Sequence, residues 1–387
     1  MSNTSQPIPI FDLNRANSEL RDEVIQAFAA VYDSGKFLYG PQVGELETAV
    51  AALSNTQYAV GCASGSDALL LGLMALDIEP GDEVIVPSFT FFATASAVAR
   101  LGAKIIFADI DPRTYNIDPQ VITDKITSRT RAIIPVHLFG QSADMIEISK
   151  IAAGRDIPII EDAAQAIGAA YHGRPVCSWG QMGCISFYPT KNLGGFGDGG
   201  MIAVNNDQLA DRLRLLAGHG MRPRYHHREV GINSRLDTLQ AAGLLAKIRR
   251  LDAYNKSRKE IADRYSQMLS DSCLLNRSPV ELPYQDPAAH HVWNQYSLRV
   301  TDGRRDALRQ HLNEKNVGSE IYYPIPLHEQ ECFRHLGYAP EDLPETHRAS
   351  KEILHLPIYP GLTVDEQWTV VKAIEDFFAQ SSQRVAA

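Results

Sequence analysis

The chain has 387 residues, too many for one ordinary core, so two domains in close contact are expected. Hydrophobic residues make up 44% and charged residues 21%, which excludes disorder by composition except at the two ends. With 37 basic against 46 acidic side chains and a formal charge of −9, a general nucleic-acid surface is excluded. No apolar run approaches the ~20 residues that span a bilayer, so a membrane partner is not expected.

The first six residues and the last seven, from Ser381, have the polar, small-residue character of fraying ends. Between Val50 and Val204, short apolar β-rich runs alternate with helical patterns. The predicted strands are Glu83–Pro87 after the Pro80-Gly81 turn, Lys104–Ala108, Ala132–Val136, Ile157–Glu161, Cys184–Phe187 and Met201–Val204. They are apolar throughout rather than alternating, the pattern of strands buried on both faces. Asp67–Leu76 and Met145–Ala153 have helical periodicity, and the alternation predicts an α/β fold with a mostly parallel sheet. Leu236–Lys259 reads as one long helix, Gln295–Thr301 as a half-exposed strand, and Arg304–Asn313 and Val364–Phe378 as helices. The division expected is a large domain over 1–254 and a smaller α+β domain over 255–387.

In such sheets, ligands collect beyond the carboxyl ends of the strands. Asp162 stands just past one strand, where its carboxylate either faces a cationic ligand nitrogen or caps a helix. Lys191 follows another strand and is itself followed by five glycines in nine residues. Glycines permit close ligand approach, and the amine suits a Schiff base, although a lone lysine is ordinarily a solvated charge. Ala63-Ser64-Gly65-Ser66-Asp67 opens a helix with small residues, which leaves N–H groups free for a phosphate or simply caps the helix. Phe89, Phe91 and Phe92 leave a third strand; one can stack on a planar ring, while the others fill core. Cys62, Cys177, Cys184, Cys273 and Cys332 are odd in number and lack zinc spacing, so reduced thiols, a cytoplasmic location and no metal are expected.

In this order the segments resemble the DegT/DnrJ/EryC1/StrS sugar aminotransferases. The likeness runs from Phe11-Asp12-Leu13 to Leu356-Pro357-Ile358-Tyr359-Pro360-Gly361 and is most specific in Glu161–Ala169 and Ser186–Gly200. It implies an aspartate-aminotransferase-like fold (PLP fold type I) with pyridoxal 5′-phosphate (PLP) as cofactor. By the resemblance, Lys191 carries the cofactor as a Schiff base and moves the proton. Asp162 meets the pyridine nitrogen, Gln165 the phenolic oxygen and Phe91 the ring face. Gly65, Ser66 and Ser186 hold the phosphate, and Asn233 reaches the phosphate in a neighbouring subunit of a homodimer. Relatives that dehydrate sugars have histidine at the position of Lys191, and Ser66 replaces a threonine common among relatives. The expected donor is L-glutamate and the acceptor a nucleotide-linked keto sugar.

The loop Arg222–Arg228 offers either phosphate donors or a solvated surface. With Ile321–His328 it most resembles the subgroup acting on UDP-2-acetamido-3-keto-glucuronate. Arg235, Tyr322 and Tyr323 would then contact the acceptor, although Arg235 serves equally as a structural ion-pair residue. The alternatives are a 3- or 4-keto dTDP- or GDP-sugar, a cyclitol ketone, or a non-catalytic regulatory protein on the same fold.

Overall fold

The computed structural model describes residues 6–272 and 278–385. The expectation of a frayed start falls largely on residues 1–5, outside the described residues, as does Cys273. The final helix, Val364–Val385, continues through most of the segment expected to fray.

Among the described residues, nine strands precede residue 205. They are β1 (Tyr58–Cys62), β2 (Glu83–Pro87), β3 (Lys104–Ala108), β4 (Thr130–Ile133), β5 (Ile160–Asp162), β6 (Ala170–Tyr171), β7 (Arg174–Pro175), β8 (Met182–Ser186) and β9 (Gly200–Val204). One set runs β3-β2-β4 and another β5-β8-β9-β1. Parallel bridges Ile133↔Ile159 and Val136↔Asp162 join them. Within these seven strands the pairing is parallel except at β9, which is antiparallel to both β8 and β1. Every residue of β2 and β9 is buried, as the continuous apolar runs require for a sheet covered on both faces. The carboxyl ends of β1, β2, β5 and β8 therefore share one edge, and β9 starts from it.

Helix starts follow local chemistry. The side chains of Asp118, Asp144 and Asn206 each accept a backbone N–H of the first turn they precede. The expected long helix is instead two, Thr238–Ile248 and Leu251–Asp271, broken at Arg249-Arg250. No propensity signal marks the break, since all the residues there favour helix. Packing makes it: Ala241 and Leu244 join a core with Leu46 and Val50, whereas Ile261, Tyr265 and Leu269 join a different one. The second helix passes through the expected boundary at 254/255.

Beyond it, β10 (Val280–Glu281), β12 (Tyr296–Val300) and β13 (Ile353–Leu356) form an antiparallel sheet, while β11 (Ala289–His290) pairs with β6. One apolar cluster joins Phe89, Leu138 and Phe139 to Trp293, Tyr296, Leu354 and Ile358. The C-terminal elements thus share a core with the strand edge, and the segment Ile321–Pro324 lies against it.

Candidate active site

A cleft of about 720 Å³ opens at that edge. It is lined by Gly65, Ser66, Phe91, Asp162, Gln165, Ser186, Lys191, Tyr322 and Tyr323, which come from five separate stretches of chain. The fold brings nine of the eleven residues singled out from sequence into one cavity.

Lys191 stands on the turn after β8, where its N–H donates to the Tyr188 carbonyl (2.9 Å). The glycine run holds this turn. A Cβ on Gly194 would stand 2.1 Å from the Pro189 carbonyl oxygen, so only glycine passes beneath the lysine. Burial lowers the Lys191 ammonium to about 8, and the charge of Asp162 opposes the shift.

Asp162 ends β5 and is buried. Its Oδ2 accepts from the Thr94 hydroxyl (2.7 Å) and its Oδ1 from the Ala164 N–H (3.2 Å). Burial pushes its carboxyl above the ordinary value, against the Thr94 and Ala164 hydrogen bonds and the fields of Lys191 and His137. Among the described residues no cation stands within ion-pair distance of it. The neighbouring Glu161 has a different task. It accepts the N–H groups of Cys177, Trp179 and Gly180 and lies 2.9 Å from His137 Nε2, fixing the loop before β8.

Gln165 Oε1 accepts the Phe139 N–H (2.7 Å), which leaves Nε2 toward Tyr323 Oη at 3.3 Å. Phe91 is 57% exposed, with its ring 6.2 Å from that of Tyr323. An exposed aromatic at a cleft offers a ring face for stacking, whereas Phe89 is core.

Gly65 opens the helix Gly65–Ala75, and the Ser64 side chain takes the Asp67 N–H. The other first-turn N–H groups have no intrahelical acceptor and can take an anion. A Cβ on Gly65 would meet the Ser186 Cβ at 2.6 Å, so the two expected phosphate contacts are neighbours.

Asn233 and Arg235 do not line this cleft. Asn233 is exposed and pairs with Gly218, and the Arg235 guanidinium lies 5.8 Å from the Tyr39 ring centroid. The loop Arg222–Arg228 also stays outside: Arg222 pairs with Asp211, and Arg224 stacks on Tyr225. Sequence reasoning missed Thr94, Tyr188, Asp198 and Asn294. Thr94 and Tyr188 lay in segments already marked as strand exits. Asn294 gave no signal; it donates to Asn192, which donates to Asn255, a buried amide chain behind Lys191.

A model of the DegT/DnrJ/EryC1/StrS aminotransferase family matches residues 18–375. The chain belongs to this family. A "pleiotropic regulatory protein" of Geobacillus stearothermophilus is 44% identical over 96% of this chain and 98% of its own. The UDP-N-acetyl-3-dehydro-α-D-glucosamine 3-aminotransferase of Acidithiobacillus ferrooxidans is 44% identical over 93% and 95%. The UDP-2-acetamido-2-deoxy-3-oxo-D-glucuronate aminotransferase of Pseudomonas aeruginosa is 41% identical over 92% and 96%. Among solved structures, NtdA of Bacillus subtilis with its cofactor PMP is 33% identical, with a TM-score of 0.90 over 98% of this chain and 87% of that one.

Family membership makes the chain a PLP-dependent aminotransferase of fold type I. The cleft fits that cofactor. It has a buried carboxylate lacking a cation, an amine with a lowered pKa, free helix N–H groups and an uncovered ring.

The lowered Lys191 value carries a stability consequence. Between about pH 8 and the ordinary lysine value, the unfolded chain holds a proton that the folded cofactor-free chain releases, so stability rises with pH there. At pH 7 the cofactor-free Lys191→Met variant therefore melts above the parent, and the gap closes between pH 8 and 10. Differential scanning calorimetry across that window checks it; a gap independent of pH would contradict the lowered value.

Proposed function

We propose that the enzyme moves an amino group from L-glutamate to the C3 ketone of a UDP-linked 2-acetamido sugar. The observation that carries the reading is the cleft that Lys191, Asp162 and an exposed Phe91 line together. The 44% and 41% relatives named for 3-oxo UDP-sugars support the choice of acceptor.

PLP, when bound, supplies a carbonyl carbon that takes up and releases the amino group and a ring that withdraws electrons from it. The chain orients and protonates. Asp162 holds the ring-nitrogen end, Gln165 the phenolic edge and Phe91 one face. Gly65, Ser66 and Ser186 hold the phosphate. The Lys191 amine, whose hold on a proton burial weakens, would take a proton from the donor's Cα and deliver it to the cofactor carbon that has taken up the nitrogen. Tyr322 and Tyr323, which also line the cleft, would contact the acceptor.

Among the described residues, Lys191 is the one basic side chain lining this cleft, so carboxylates and diphosphate need charge from elsewhere. A homodimer supplies it: Asn233, Arg235 and the Arg222–Arg228 loop, all outside their own cleft, would serve the neighbour's. The 44% relative, named for a 3-dehydro-glucosamine, favours an acceptor with an uncharged C6. UDP-2-acetamido-3-keto-glucuronate is the second reading, favoured by the 41% relative and by Arg235, whose fork suits a carboxylate.

The test is product analysis with glutamate and both 3-oxo UDP-sugars. A C3-aminated product from either supports the reading, and the ratio of kcat/KM values decides C6. Amination of 4-keto dTDP- or GDP-sugars alone would overturn it. Failure of every ketone to be aminated would point to the regulatory reading, which the Geobacillus relative's name favours.

A further inference from the structure

The helix Phe92–Arg100 leaves the strand edge directly after Phe91, which stands at its N-cap position. Three residues on, the Thr94 side chain is fully buried behind the cleft. A threonine inside a helix commonly bonds a carbonyl of the preceding turn. Thr94 does not: its hydroxyl lies 2.7 Å from Asp162 Oδ2 and 3.4 Å from the Thr90 hydroxyl. A hydroxyl has one proton, and an ionised carboxylate can only accept, so Thr94 donates to Asp162 and is left to accept from Thr90. With the Ala164 N–H on Oδ1, each carboxylate oxygen has one donor, which fixes the rotation of the group.

We propose that Thr94 is a positioning residue for transamination, holding Asp162 ionised and turned toward the ring nitrogen of the cofactor. The proposal rests on the role given to Asp162 above. Asp162 is buried among groups that cannot keep it charged unaided. Cys177 and Cys184 are buried thiols, and Tyr323 is a half-buried phenol. Lys191 and His137 are the basic groups whose fields reach it, and the free Lys191 amine has no charge when it acts as a base. A neutral hydroxyl is a donor that no step of the reaction removes. One helix start thus sets two contacts, Phe91 on the ring face and Thr94 behind the carboxylate at its edge, held in step by the Thr94 N–H to Phe91 carbonyl bond (3.3 Å).

The experiment compares Thr94→Val, which keeps shape and loses the donor, with Thr94→Ser, which keeps the donor. With PLP carrying ¹⁵N in its ring, the valine variant should move the nitrogen resonance toward the unprotonated position, and the serine variant should leave it in place. On acidification, the valine variant should release cofactor at higher pH, because a carboxylate without its donor takes a proton more readily. Turnover should fall about 10-fold or more with little change in KM, the scale of one hydrogen bond to a charged group. In an Asp162→Asn background the same change should cost under about twofold.

An unmoved nitrogen resonance, or an equal cost in both backgrounds, would overturn the proposal. If Thr94→Val does not fold, Thr94→Ala takes its place under the same criteria. A fully active Asp162→Asn enzyme would instead overturn the reading of Asp162, whatever Thr94 does.

Discussion

Alanine at position 191 abolishes amino-group transfer while leaving the cleft able to hold its cofactor. The other cofactor contacts come from different stretches: the helix start at Gly65, the end of β5 at Asp162 and the exit of β2 at Phe91. None depends on the lysine side chain, so Lys191→Ala should still bind PLP, without a covalent link. Turnover should fall by at least ~10³-fold, since both the anchoring amine and the proton carrier are lost. Borohydride reduction followed by peptide mass spectrometry should mark Lys191 in the parent and no residue in the variant. A variant that retained parental turnover would remove the basis of the functional reading.

Asn at position 162 should be nearly as damaging, for a different reason. The amide has the shape of the carboxylate but cannot ionise, so it cannot hold a protonated ring nitrogen. A kcat loss of ~10²–10³-fold is expected, the scale of a lost charge contact that strengthens during reaction. Stability should move the other way. The folded pKa of Asp162 is raised, so the folded chain holds its proton to higher pH than the unfolded chain, and stability falls as pH rises through that window. Near pH 7 the cofactor-free Asp162→Asn protein should therefore melt above the cofactor-free parent, while PLP stabilises it less. A thermal-shift series with and without PLP checks both signs. A drop in cofactor-free stability would show that the carboxylate serves the fold more than the cleft.

These residues were legible because they lie in runs whose pattern is local. Glu83–Pro87 and Lys104–Ala108 have the same bounds as predicted strands and as β2 and β3, because continuous burial leaves an uninterrupted apolar run. Asp162, Gln165 and Lys191 fall where such runs stop. The break at Arg249-Arg250 was not legible, because two distant cores decide it rather than the residues at the break. Thr94 was hidden for a similar reason. Its segment stood out for its aromatics, and nothing in Phe91-Phe92-Ala93-Thr94 announces a carboxylate 68 residues away in sequence. Arg235 differs again: its motif is local, but its side chain lies against Tyr39, outside its own cleft.

The apolar cluster that joins the strand edge to the C-terminal elements also bears on how the chain is made. Phe89, Leu138 and Phe139 leave the ribosome long before Trp293, Leu354 and Ile358 exist to cover them. At ~5–20 residues per second, the roughly 200 residues between take on the order of ten to forty seconds. During that interval the half-built sheet shows bare apolar surface at the edge where the cleft will form. A stop codon shortly before β13 would leave that surface without Leu354 and Ile358 to cover it, a fragment prone to aggregate rather than a smaller enzyme.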